Sequence, residues 1–232
     1  MNHWFDAHSH LPNTDSDPPD HPLVVCGTCE SDWGAILAHG ASHRQVIPML
    51  GLHPWYVEAA SPEWAPRLES LLRAHRVGVG ECGLDFARKE TDRGTQEAAF
   101  RTQLRLAHAL HRPIALHVVR AWGRIIDLLH EEGVPSAGAI MHAFGGSPET
   151  ARTLQAMGLH LSFSGDLLKP NHPKLRASLR AVASTHLLLE TDGTGDFMLL
   201  LERAADLRGT TVEVLATRTW ENGQRCFKEL MA

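Results

Sequence analysis

Short apolar runs rich in β-branched residues recur along this 232-residue chain, and nearly every one is followed by a stretch of helical periodicity. That alternation constrains the fold more than any other feature. Parallel strands need a long crossover between them, and a helix is the usual one. Runs reading as strands end at residues 6–10 and cover 23–27, 46–52, 77–80, 114–116, 139–141, 159–163 and 187–189. Helical patterns cover 32–39, 62–74, 95–111, 122–131, 148–157, 173–183, 197–207 and 212–230. Residues 11–22 are rich in Pro and Asp and carry no helical period, so no helix is expected between strands one and two. Eight strands at this length predict an α/β fold, a closed TIM (β/α)8 barrel lacking that helix. An open doubly wound sheet is the alternative, but no Gly-rich dinucleotide fingerprint follows the first strand. No linker or low-complexity tract interrupts the pattern, so residues 1–232 are expected to form one domain.

Composition adds bounds. Apolar residues make up 43% and charged residues 21%, ordinary for a chain that buries a full core. No apolar run is long enough to span a bilayer and no basic-then-apolar leader pattern opens the chain, so a cytoplasmic protein with no membrane association is expected. The formal net charge of -5 argues against a broad basic surface for nucleic acid while permitting a locally positive site. Sixteen His beside a single Tyr is the oddity, and metal binding is its simplest functional explanation, although most of these His are expected at the surface. Cys26-Gly27-Thr28-Cys29 has redox-motif spacing, but no second pair completes a zinc site. Reduced, structural thiols are the expectation.

In a barrel of this kind the chemistry sits at the C-terminal ends of the strands. Strand one ends in His8 and His10, strand three in His53, and strand four runs into Glu81. Strands five and six run into His117 and His142, and strand eight into Glu190-Thr191-Asp192. Side chains two apart on a strand share a face, so Asp6, His8 and His10 are expected to project together. A lone strand-end His is usually a structural hydrogen-bonding residue; five or six together are not. His with carboxylate and no Cys suits Zn, Mn, Fe or Mg. The candidates exceed what one ion needs, so two ions sharing a carboxylate are expected, leaving a locally positive site that attracts phosphate.

The residues also resemble a known family. Asp6-Ala7-His8-Ser9-His10-Leu11, Gly51-Leu52-His53-Pro54 and Gly80-Glu81-Cys82-Gly83-Leu84-Asp85-Phe86 are similar to motifs of the TatD-type metal-dependent deoxyribonucleases. Gln96-Glu97 through Phe100, Gln103-Leu104 and residues 113–117 continue the series. Met141-His142-Ala143-Phe144-Gly145-Gly146-Ser147, Leu161-Ser162-Phe163-Ser164-Gly165 and Leu188-Leu189-Glu190-Thr191-Asp192 follow in order. The resemblance implies an amidohydrolase-type barrel with two divalent ions (Mg, Mn or Zn). His8, His10, Glu81 and Asp192 would surround one ion, and Glu81, His117 and His142 the other, with Glu81 bridging. It implies hydrolysis of DNA phosphodiester bonds, often from the 3′ end. Asp192 and Glu81 are the candidate catalytic groups, Asp192 as the acceptor of the water's proton. His53, Asp85, Arg88 and Arg120 are candidates for orienting ligands or substrate.

Two departures bear on substrate. The family normally carries a helix between strands one and two and a Pro- and Arg-containing segment after strand eight. Here Asp192-Gly193-Thr194-Gly195-Asp196 passes directly into the apolar Phe197-Met198-Leu199. Single-stranded or frayed DNA ends are therefore the expected substrate, with no obligatory protein partner. The rival readings are an amide, ester or lactone hydrolase using the same ions, and a non-catalytic metal- or partner-binding protein.

Overall fold

In the computed structural model, residues 4–11 and 20–231 are described, and eight parallel strands close into a barrel in chain order. They are β1 (Asp6–Ser9), β2 (Leu23–Cys26), β3 (Val46–Leu50), β4 (Gly78–Asp85), β5 (Ile114–Val119), β6 (Ala139–Met141), β7 (His160–Phe163) and β8 (Leu187–Leu189). The seam is short: β8 meets β1 with Asp6 opposite Leu189. Around the barrel lie α1 (Trp33–Ser42), α2 (Trp64–Ala74), α3 (Arg93–Ala109), α4 (Trp122–Glu132), α5 (Pro148–Ala156), α6 (Pro173–Ala181), α7 (Phe197–Arg208) and α8 (Val212–Cys226). A short 3-10 turn, Gly165–Leu168, follows β7. The helix expected to be missing between β1 and β2 concerns residues 12–19, which lie outside the described residues.

Local chemistry accounts for the helix starts. Asp92, Ser147, Asp196 and Thr211 each accept a backbone N–H from the first turn of α3, α5, α7 and α8 respectively. Capping by Asp196 starts α7 at Phe197, so only residues 190–196 connect it to β8, as the sequence implies.

The period of two along each strand sorts the core into two clusters. Outward residues such as Val25, Leu116, Met141, Leu161 and Leu189 pack beneath the helices. Ala7, Val24, Cys26, Ile47, Met49, Ala115, Ile140 and Leu188 form a second cluster with Phe5 and Phe227. Phe227 stacks on Phe5, ring centroids 5.7 Å apart and 14° from parallel, and floors the barrel. A Cβ at Gly223 would come within 2.4 Å of the Phe5 ring, so only glycine lets α8 approach so closely.

The lumen cluster also sets the positions above it. His117 lies two residues beyond Ala115, His142 two beyond Ile140, and Glu190 two beyond Leu188. Polar side chains therefore cap an apolar column at the C-terminal mouth. A cavity of about 620 Å³ lies at the opposite end among Arg44, Val46, His75, Arg76 and Val77, and no candidate site residue lines it. No helix among the described residues is long and apolar enough to cross a membrane.

Two strand expectations change. β4 runs on to Asp85 instead of stopping at 80, so Glu81 sits inside a strand. Against β5, the segment from Val79 to Cys82 carries one residue more than its partner, a bulge that re-aims the side chains around Glu81. Gly83 permits the continued pairing: its φ is +148°, and a Cβ there would lie 2.0 Å from the His117 carbonyl oxygen. On β1 a similar irregularity between Asp6 and Ser9 breaks the expected common face. Asp6 does not join His8 and His10; its carboxylate accepts from the Thr191 N–H (3.0 Å) and hydroxyl (2.6 Å).

Candidate metal centre at the barrel mouth

Glu81 is buried to 2% exposure, and its two carboxylate oxygens face different sets of donors. Oε2 lies 3.3 Å from His8 Nε2 and 3.4 Å from His10 Nε2. Asp192 Oδ1 closes that group, 3.5 Å from His10 Nε2 and 3.8 Å from His8 Nε2. Oε1 lies 2.8 Å from both His117 Nδ1 and His142 Nε2, which are 3.1 Å from each other. A tetrahedron with bonds of about 2.1 Å has edges of about 3.4 Å. The separations in the first group bracket that value, and those in the second, 2.8–3.1 Å, fall a little inside it.

Hydrogen bonds on the far ring nitrogens decide which imidazoles can ligate. His10 Nδ1–H donates to the Cys26 carbonyl (3.1 Å), and His142 Nδ1–H donates to Glu190 Oε1 (3.3 Å). Each leaves its Nε2 lone pair turned to Glu81. His117 presents Nδ1 to Glu81 and Nε2 to Asp85, 3.6 Å away and beyond hydrogen-bonding distance. His8 is fully buried, and neither of its ring nitrogens has a hydrogen-bond partner among the described residues. A buried imidazole without partners is costly unless a cation takes its lone pair. The donors present therefore fit divalent ions.

His53 differs. Its Nδ1 accepts the Trp55 N–H (3.1 Å), so the proton of the neutral ring sits on Nε2, 3.3 Å from Glu81 Oε1. His53 lies close enough to Glu81 and His117 for a metal, but in this tautomer it is a donor and not a ligand.

The electrostatics agree with a site built for positive charge. Burial would raise Glu81, yet the His142 charge and hydrogen bonds from His117, His142 and His53 outweigh it and hold the carboxyl well below its usual range. Burial likewise opposes ionisation of Asp192, and His10 with the charges of His142 and His8 brings its pKa down. Burial lowers His142, but Glu81 and Glu190 overcome it and leave the pKa raised well above the usual value. The same contest, burial against Asp192 and Glu81, leaves His10 raised; against Asp85 and Glu81 it leaves His117 raised. Burial lowers His53 and His8.

The remaining candidates flank this centre. Asp85 is held by the Ala87 N–H (2.9 Å) and the Trp55 indole N–H (2.6 Å). Burial is overcome there by His117, Trp55 and Ala87, so the carboxyl stays well below its ordinary range. Arg88 is exposed, lies over the Trp55 ring at 4.7 Å and stands 4.0 Å from Glu90. Arg120, exposed at the end of β5 with φ +52°, makes no ion pair or hydrogen bond among the described residues. Cys26, Cys29, Cys82 and Cys226 are free. Burial raises Cys26 well above the ordinary thiol range, with Glu81 and Glu190 adding to it, so it is no reactive thiolate.

Several residues with work to do here carry no role in the sequence reading. Glu190, fully buried, accepts from the Ala143 N–H (2.7 Å), the Ser162 hydroxyl and His142 Nδ1. Its signal was available in the step of two beyond Leu188. Gln103 brackets Leu52, accepting its N–H (2.7 Å) and donating to its carbonyl (3.0 Å), directly before His53. Gln96 does the same for Asp85 (2.8 and 3.1 Å).

The family model described as TatD related DNase matches residues 5–228 of the chain. The chain belongs to the TatD related DNase family. Its relatives include the uncharacterized metal-dependent hydrolase YabD of Bacillus subtilis, 32% identical over 68% of each chain. The 3'-5' ssDNA/RNA exonuclease TatD of Cronobacter sakazakii is 40% identical over 73% of this chain and 65% of its own. The matches thus span about two thirds of the length of these relatives. The crystal structure of the TatD homologue YJJV from Escherichia coli superposes with a TM-score of 0.87 at 23% identity, over 97% of this chain and 98% of that one. That likeness fixes the fold. The TatD-family chain is a metal-dependent hydrolase.

Proposed function

We propose that this TatD-family chain is a two-metal exonuclease that trims single-stranded or frayed nucleic-acid ends, DNA foremost. The observation carrying this reading is the division of Glu81 between two donor sets. His8, His10, Glu81 and Asp192 would hold one ion, and Glu81, His117 and His142 the other, with Mg, Mn or Zn suited to these donors. Bound there, the ions would supply an activated water and offset charge on the attacked phosphate and the leaving oxygen.

The residues around them do the rest. Asp192, half-exposed and anionic, faces His8 and His10, lies within 4.8 Å of His142, and would accept the water's proton. His53 directs its Nε2–H toward a phosphate oxygen. Glu190 keeps His142 in its ligating tautomer. Arg88 and Arg120 meet flanking phosphates. After β8 the first cation is Arg203, already paired with Asp206 at 2.7 Å, so no basic arm overhangs the mouth from that side. A thin grip favours strand ends, in keeping with the names of the TatD exonuclease relatives. We assign all 232 residues to one hydrolase domain working in the cytoplasm, where its four free thiols stay reduced.

The test uses a 5′-labelled single strand and the same strand in a blunt duplex, with the protein loaded with each metal in turn. A ladder shortening from the 3′ end, faster on the single strand and silent in chelator, is expected. Internal duplex cuts at equal rate, or cleavage that survives chelator, would refute the proposal. Turnover of esters or lactones alone would move the chain to the carbonyl-hydrolase reading.

A further inference from the structure

We infer that Trp55 is the platform on which the nucleobase next to the scissile phosphate stacks; the inference rests on the nuclease reading above. Among the described residues the large exposed hydrophobics are Trp55, Tyr56, Leu199 and Val214. Two of these adjoin each other directly after His53-Pro54 at the mouth. Exposure alone carries little, since scattered surface apolar residues are common. Trp55 is distinguished by being both exposed, at 45%, and fixed. Its indole N–H donates to Asp85 Oδ2 at 2.6 Å, and its backbone N–H donates to His53 Nδ1 at 3.1 Å. The His53 ring packs edge-on at 5.1 Å and 85°. Both polar handles are used on the protein side, and the apolar face is left for something flat.

That face already holds a flat group. The Arg88 guanidinium lies 4.7 Å from the ring centroid, and guanidinium planes and nucleobases stack on the same aromatic surfaces. Arg88 has only a 4.0 Å approach to Glu90 besides, and its side chain is 43% exposed. It can give up the ring to a base and take a neighbouring phosphate. The reach also fits. His53 Nε2 is 3.3 Å from Glu81, and Trp55 is the next ring outward, so a nucleotide with its phosphate over Glu81 lays its base on the indole. Because Asp85 occupies the indole N–H, the platform offers no donor to a base edge. It grips by stacking and does not read sequence, and purines hold better than pyrimidines.

The experiment compares KM for single-stranded oligonucleotides carrying either an intact base or an abasic tetrahydrofuran residue at the terminal and penultimate positions. Stacking on an aromatic side chain is worth roughly 10-fold per base. Trp55→Ala in the metal-loaded protein is expected to raise KM about 10-fold for intact ends. It should leave KM for abasic ends nearly where the wild type has it. Trp55→Phe, which keeps a ring but loses the bond to Asp85, is expected to recover most of the loss. Anisotropy of labelled strands in chelator should show the same ratio. An equal KM rise on intact and abasic ends, or no rise at all, would overturn the platform while leaving the nuclease reading intact. If the wild type cleaves no oligonucleotide but hydrolyses small esters, the nuclease reading fails and the platform falls with it.

Discussion

At the scale of single residues, function here is a matter of which nitrogen carries a proton. Glu190 and the Cys26 carbonyl hold the Nδ1 protons of His142 and His10 and leave their Nε2 lone pairs free, whereas the Trp55 N–H turns His53 into a donor. Glu190→Gln keeps the volume but removes the charge behind His142. Outer partners of this kind are typically worth 10–100-fold in metal affinity. That loss is expected in a competitive chelator titration, with unchanged circular dichroism; unaltered affinity would make Glu190 merely structural. A second residue works far from the metals. His160, buried at the start of β7 with neither ring nitrogen hydrogen-bonded among the described residues, has its pKa pulled down to about 4 by burial, then by His186 and Arg225. The unfolded chain takes up that proton below about 6.5, and the folded chain only near 4. The stability contributed by the neutral ring is therefore complete above 6.5 and drains away between 6.5 and 4, by up to roughly 3 kcal/mol. Urea melts in chelator should slope across that window for wild type and stay flatter for His160→Leu.

At the scale of elements, α3 positions two strand ends from behind. Gln103 and Gln96 lie on its buried face and satisfy both backbone groups of Leu52 and of Asp85. Gln103→Met would strand a buried N–H and a buried carbonyl at once, each costing roughly 1–3 kcal/mol. A stability loss of about 2–4 kcal/mol is expected by denaturant melts, against under about 0.5 for the half-buried neighbour Thr102→Ala. The sequence makes such elements unequally visible. Metal-capable side chains where the apolar runs stop brought out His8, His10, His53, Glu81, His117, His142 and Asp192, and the family resemblance narrowed them to a ligand set. β4 beyond 80 was not legible, since Glu81, Gly83 and Asp85 break the apolar run and a bulge shifts the register. Asp6 was misread because the irregularity on β1 cancels simple alternation. Trp55 looks like any aromatic until its bond to Asp85 is seen.

At the scale of the whole molecule, the net charge of -5 and the short β8–α7 connection limit how strongly any polyanion is held. On the proposed reading, in which Arg88 and Arg120 are the main phosphate contacts, log affinity for a single strand should fall with log salt at a slope near -1.4, about 0.7 per cation. Each Arg→Ala should flatten the slope by about 0.7, and a much steeper wild-type slope would reveal a basic surface elsewhere.

The stacking of Phe5 on Phe227 sets the order of events at birth. Until α8 has left the ribosome the nascent protein has no floor, and the edges of β1 and β8 are joined by a single registered pair at most. Native structure therefore arrives late and at once, only after α8 has emerged. Chains stalled just past β8 should be digested as fast as an unfolded polypeptide, whereas the released chain resists. A cell must shelter the unfinished barrel until α8 seals it.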